Sequence, residues 1–283
     1  VFTLALPHAT RDFSSGSIWR VFATFVQVYV RGIVREKSFL GIILGMSVFL
    51  FILLRNVGSI YGTETYPVTY NVLEILIGSL SLYMLYIITY YAGDLVFHER
   101  EMKVDAITDT LPVPTWVLFV AKLAALSLVI AMFCVALIPI GMLTQSLNGY
   151  TNFEVGLYVK EIFGLRFLEF VMIAALALFI HTVANNKYVG YVVIGIYYLG
   201  MSFSSRLGIE HNLWKFGSDP GITYSDMNEY GHFLAPFFWY KLYWGAFSLL
   251  LIGTTYLLWV RGTESDWATR LNLLKNRFTS RTG

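Results

Sequence analysis

Six stretches of the chain are built almost wholly from apolar residues, 38–56, 72–97, 116–143, 162–184, 188–205 and 237–260, and polar segments separate them. A hydrocarbon layer ~30 Å thick takes roughly 17–25 helical residues to cross, because an α-helix rises ~1.5 Å per residue and satisfies its own backbone polar groups. The pattern therefore predicts an all-α integral membrane protein with six transmembrane helices. Ahead of the first span the period changes. Arg20, Thr24, Gln27, Arg31 and Arg35 recur at steps of three or four, and Ile18, Trp19, Phe22, Phe25, Val26 and Tyr29 fill the positions between. From a cap at Ser17 this spacing predicts an amphipathic helix lying in the interface, basic side toward lipid headgroups. A charged face packed on another cytosolic domain has the same pattern.

Residues 98–115 form the most highly charged connection between spans. His98, Glu99, Arg100 and Glu101 lie directly under the end of the second span, and 105–111 can form a short helix carrying Asp105, Asp109 and Leu111. Pro112 and Pro114 stop it, because proline lacks an N–H and disfavours helical geometry in the residue before it. Trp116 marks re-entry into the interface. Lys122, one to two turns into the third span, can snorkel to the headgroups or reach Asp94.

Charge sets the orientation. Thirteen Lys and Arg fall on the side that holds both ends, residues 98–115 and the turn Asn185-Asn186-Lys187, against four on the other side (Arg55, Lys160, Arg206 and Lys215). The positive-inside rule places both ends in the cytosol. The 283 residues are 57% apolar and 13% charged, half the charge of an ordinary soluble domain. The single cysteine, Cys134, excludes an intrachain disulfide. A lead-in occupies 1–37 together with the amphipathic helix, and a basic tail occupies 261–283, where Leu271, Leu274 and Phe278 alternate with Arg270, Lys275, Arg277 and Arg281.

Polar residues inside the spans are the candidates for a path. Glu74, Ser79, Tyr83, Tyr86 and Tyr90 lie along the second span, and Ser79 and the three tyrosines share a helix face; the strip suits either translocation or packing between helices. Arg166 and Glu169 are neighbours at i,i+3 near the outer end of the fourth span, either a local pair or a substrate exit. Ahead of that span, Thr151 and Glu154 have capping-box spacing. His181 reads as hydrogen-bonded packing, and Gly190, Gly195 and Gly200 permit close helix approach or local unwinding. The external loop 207–236 carries His211, His232 and four carboxylates at spacings that match no zinc motif, so no metal is assigned and a lid over the membrane core is expected. No P-loop and no His-Glu-x-x-His occurs, and no pair of carboxylates lies at one depth for aspartyl chemistry. The chain is read as non-enzymatic, with no cofactor of its own and no nucleic-acid partner.

A span followed by Glu99-Arg100-Glu101, a short helix, Leu111-Pro112 and Lys122 resembles the first cytosolic loop of ABC-2 type permeases, the membrane halves of ATP-binding cassette exporters. Lys103-Val104 and Ala121 depart from that pattern, which has Gly-Thr and Gly there. The resemblance implies the ABC-2 permease fold, with the amphipathic helix within 1–37 as an elbow helix (Arg20, Arg31, Arg35) and 98–115 as the coupling loop on which a separate ATPase docks. Docking would fall to Glu99, Arg100, Glu101, Asp105, Asp109, Leu111 and Pro112. It implies as partners an ATPase subunit holding ATP and Mg, a second permease half and membrane lipids. The segments TYPVTYNVLE, FEVGLYVKEIFGL, NNKYVGY, EHNLWKFG and LLWVRGT are similar to a bacterial subgroup fused to an extracytoplasmic metallo-aminopeptidase. That likeness implies the inner membrane and, with Val1 in place of Met, one half of a longer polypeptide. A non-transporting anchor for such a peptidase is the alternative. A loop built to receive force argues for transport, and an ion-coupled carrier would place ionisable groups at midplane.

Overall fold

The computed structural model describes residues 14–54, 59–60, 63–64 and 66–259. Arg55 and the basic tail 261–283 lie outside the described residues. A first amphipathic helix, α1 (Ser15–Arg35), has Ser14 as its N-cap, one turn earlier than the Ser17 expected; the Ser14 hydroxyl accepts the Ser17 N–H at 3.3 Å. Glu36, in extended geometry, separates α1 from α2 (Lys37–Leu54). Two-residue strands β1 (Ser59–Ile60) and β2 (Thr63–Glu64) pair antiparallel before α3 (Thr69–Glu101). Then come α4 (Asp105–Asp109) and α5 (Thr115–Leu147), the latter running on through Pro139. The chain returns through α6 (Val155–Val159), a π-helical segment (Lys160–Arg166) and α7 (Phe167–Ala184), and α8 (Lys187–Ser202) and α9 (Leu234–Leu258) are the last helices among the described residues.

Four of these are long and apolar enough to cross a membrane: α2, α3, α5 and the continuous Val155–Ala184 helix. The other two expected spans are not among them. With 16 residues α8 is ~24 Å long, short of the hydrocarbon thickness, and α9 spends much of its length on Trp, Tyr and Lys241. Helix ends also differ from the hydropathy boundaries. His98 to Glu101 continue α3, because backbone hydrogen bonding does not stop where apolarity does, and the next helix stops at Asp109 rather than Leu111. Glu154, with no side-chain cap bond, precedes α6; Thr151 lies outside the helix, so the capping box does not form.

The centre of the bundle is the trio α3, α5 and α7; α1 and α2 pack on α5, and α8 and α9 on α7. Inside a lipid environment apolar burial offers little over lipid contact, so close packing and interhelical hydrogen bonds specify the arrangement. Small residues make the closest approaches. A Cβ on Gly93 would meet Tyr191 at 2.6 Å and His181 at 2.7 Å, and one on Gly190 would meet His181 at 2.6 Å. The His181 ring thus wedges α7 between α3 and α8. Gly195 and Gly200 face open space, so of the three glycines in α8 only Gly190 serves close approach. At the opposite end Gly141 makes room for the Tyr158 ring, whose hydroxyl donates to Gln145 Oε1 at 2.9 Å. Gln145 Nε2 in turn donates to the Pro67 carbonyl at 3.0 Å and Thr69 Oγ1 at 3.2 Å, tying α5, α6 and the start of α3 together.

Gly93→Val should therefore destabilise the bundle by about 1–3 kcal/mol through overpacking, and Gly195→Val by less than about 0.5 kcal/mol. Thermal unfolding in one detergent, followed by tryptophan fluorescence, checks the contrast.

Candidate functional site

The charged end of α3 and the loop after it are positioned by a side chain from the neighbouring span. Lys122 on α5 is 2% exposed and lies under the last turns of α3, where its ammonium donates to Glu99 Oε2 and to the Leu95 carbonyl, both at 2.5 Å. Tyr29 on α1 donates its hydroxyl to the other oxygen, Glu99 Oε1, at 2.7 Å. Burial and the adjacent Glu99 carboxylate push the Tyr29 hydroxyl far above the ordinary phenol range, so it remains a donor. The rings of Tyr29 and Trp259 stand 5.2 and 5.4 Å from the ammonium and complete its cation–π surroundings. One carboxylate thus fastens α1, α3 and α5 at the same level. The Lys122 partner is Glu99 and not Asp94: five residues apart on α3, the two carboxylates point about 140° away from each other, and Asp94 pairs with Lys187 at 3.2 Å.

A second set of contacts fastens the same turn to α7 and α8. Arg100 donates to Asn185 Oδ1 at 2.8 Å, and Asn185 holds the left-handed conformation (φ 51°) that ends α7. Lys187 donates to both Glu101 oxygens at 3.0 Å, while the neighbouring Asn186 caps α8. Between these ties a cavity of about 50 Å³ is lined by Glu99, Arg100, Asp105, Asp109, Lys122 and His181. His181 Nδ1 lies 2.9 Å from the Ala177 carbonyl and is therefore its proton carrier, with Nε2 buried.

Two kinds of side chain follow from this arrangement. Glu99 and Arg100 point into the bundle; Glu99 is only 15% exposed. Glu101 is half-exposed, and around it α4 and its flanks turn apolar residues outward: Met102 (64% exposed), Ile107 (67%), Val104 and Leu111. Lys103 makes this possible by adopting φ 56°, which reverses the chain from α3 into α4. Pro112 is exposed beyond α4. Leu111 and the charges of 98–101 are legible in the sequence, whereas the pairing of Tyr29, Asn185 and Lys187 with that turn and the exposure of Met102 and Ile107 are not; those three lie at sequence separations of 70 to 86 from their partners.

The remaining candidates fall elsewhere. Arg20, Arg31 and Arg35 are exposed on α1. Of the strip on α3, Ser79 and Tyr83 are half-buried and Tyr83 packs on Phe49, while Tyr86 and Tyr90 stack with centroids 6.1 Å apart, Tyr86 being exposed. Glu74 and Arg166 line one cavity at the opposite end of the bundle; Glu169 pairs with Lys241 at 3.2 Å and with Arg166 at 3.7 Å. No group of three His, Cys, Asp or Glu able to hold a metal occurs among the described residues.

Residues 33–202, well over half of the chain, match a family described as "ABC-2 family transporter protein". No curated protein and no solved structure matches the chain.

Removing the Lys122 ammonium strands the Glu99 carboxylate. Lys122→Met is expected to cost about 3–5 kcal/mol of unfolding free energy, and adding Glu99→Gln should recover a substantial part. Denaturation of the single and double variants in one detergent reads both effects.

Proposed function

Because the chain belongs to the ABC-2 transporter family, and is thus a multi-pass membrane permease component, we propose that it is one permease half of an ATP-binding cassette exporter driven through α4. The observation that carries this reading is the outward-facing apolar surface of Met102, Ile107 and Leu111, set on a turn whose base is fastened to four other helices. Exposed apolar groups in an otherwise charged loop mark a protein contact. In this reading a partner ATPase, carrying ATP and Mg, binds α4 with Met102, Ile107 and Leu111 as its anchors and Glu101, Asp105 and Pro112 at the rim. Glu99 and Arg100 are then positioning residues: they convert movement of α4 into tilting of α1, α3, α5 and α7 as one body.

Several finer features belong to the same proposal. α8 and α9 complete six spans, α9 belted by Trp239, Tyr240, Tyr243 and Trp244 at one end. α1 is the elbow helix in the interface, and both ends are cytosolic. A second half, another copy or another segment of one polypeptide, completes the path, and Tyr86, exposed on α3, is available to face it. The segment likenesses support a bacterial inner-membrane protein of the peptidase-fused subgroup; an anchor without transport is the competing reading.

Purification of the chain in mild detergent, with mass spectrometry of what accompanies it, separates the two. An ATP-binding cassette subunit is expected, and Ile107→Glu should lower its recovery about tenfold or more while membrane insertion is unchanged. A peptidase-bearing polypeptide with no ATPase, in wild type and at every detergent strength, would overturn the permease reading.

A further inference from the structure

At the end of the bundle opposite α4, a cavity of about 490 Å³ opens between the start of α3, the π-helical segment and the loop 207–236. Its size suits an organic molecule. The π-helical segment shapes it. In an α-helix at 100° per residue, positions five apart point about 140° away from each other, whereas i→i+5 bonding brings them onto one side. Glu161 and Arg166 both line the cavity for this reason, facing Glu74 on α3.

The charges here do not balance within the cavity. Arg166 lies 3.7 Å from Glu169, which also receives Lys241 at 3.2 Å; Lys241 in turn sits 2.9 Å from Asp219. Two cations and two carboxylates thus neutralise one another, and of these four only Arg166 lines the cavity. Lys160 is likewise paired with Glu229. Glu74 has no hydrogen-bond or ion-pair partner among the described residues, and Glu161 receives only the neutral hydroxyl of Tyr230. Burial and Glu161 keep that hydroxyl protonated, so it adds no compensating charge.

Aromatic faces stand beside the two carboxylates. Tyr70 and Tyr224 lie 6.1 Å apart between centroids, Tyr224 and Tyr230 5.3 Å, and all three line the cavity; the Lys160 ammonium already stands over Tyr230, 5.3 Å from its centroid, which leaves the faces of Tyr70 and Tyr224. Glu154, Asp226 and Glu229 add negative potential close to Tyr224, which Lys160 offsets in part. Leu73, Ile77 and Leu157 supply apolar wall, and Arg166 Nε is buried without a partner among the described residues. Carboxylates with tyrosine rings recognise ammonium groups, and an orphaned N–H calls for an acceptor.

We propose that this cavity binds an organic ammonium ion with an apolar body and a hydrogen-bond acceptor, its cation held by Glu74, Glu161 and the faces of Tyr70 and Tyr224. As a station on a transport path the site rests on the permease reading; as a binding site it does not.

Rhodamine 6G and fluorescein share a ring framework and differ in charge. Binding of each to the purified chain in phosphatidylcholine nanodiscs, with empty discs as the blank, is read by fluorescence anisotropy. Saturable binding of rhodamine 6G, at least about tenfold tighter than fluorescein, is expected, and Glu74→Gln and Glu161→Gln should each weaken it several-fold to about tenfold. Glu210→Gln, on the same loop but outside the cavity, should leave it unchanged. Because Glu74 is unpartnered, its variant is not expected to disturb folding, which a thermal melt verifies. Equal binding of the two dyes, no binding above empty discs, or unchanged affinity in both carboxylate variants overturns the proposal. Dye binding without any effect of dye on an associated ATPase would keep the site and count against the permease reading; ATP-driven transport without dye binding would do the reverse.

Discussion

A lysine ammonium buried at the end of an apolar helix has few tolerable surroundings, and the charged end of this bundle is built around meeting that constraint. Lys122 needs a counter-charge, acceptors for its protons and exclusion of competing water; Glu99, the Leu95 carbonyl and the rings of Tyr29 and Trp259 supply them. Each comes from a different element or turn, so meeting the needs of one cation sets the relative positions of α1, α3 and α5. The same turn of α3 is then locked to α7 and α8 through Asn185 and Lys187. What emerges is a rigid base from which α4 projects.

The rest of the bundle follows a different rule. Between the helices themselves specificity lies largely in fit, Gly93 and Gly190 against His181 and, at the far end, Gly141 against Tyr158, where Gln145 adds hydrogen bonds to Thr69 and Tyr158. Such fits resist gradual deformation, since a packed interior has discrete arrangements and no continuum of loose ones. A push delivered to α4 would therefore be expressed as movement of whole helices.

The two ends also contrast electrostatically. Around Lys122 every carboxylate of the α3 terminus has a cation or donor, whereas at the far end Glu74 and Glu161 have no ion-pair partner among the described residues. One end is arranged for rigidity and the other retains unspent recognition chemistry.

Much of this was readable from the letters alone. Apolar run length decides that the chain enters a membrane as helices, the stripe of Arg20, Arg31 and Arg35 decides that α1 is amphipathic, and Pro112 and Pro114 limit α4, because all are local consequences of spacing and backbone chemistry. Tertiary structure decided which charges meet. Lys122, expected to snorkel or to reach Asp94, meets Glu99, while Asp94, about 140° round α3 from Glu99, pairs with Lys187. Glu161 became a cavity residue only through the π-helical register of Lys160–Arg166, which no local spacing announces. Ile107 looked like one more apolar letter in a short helix; that it faces outward depends on the left-handed turn at Lys103 and on where α3 already stands. Periodicity reports what one element needs, and pairing between elements belongs to the fold.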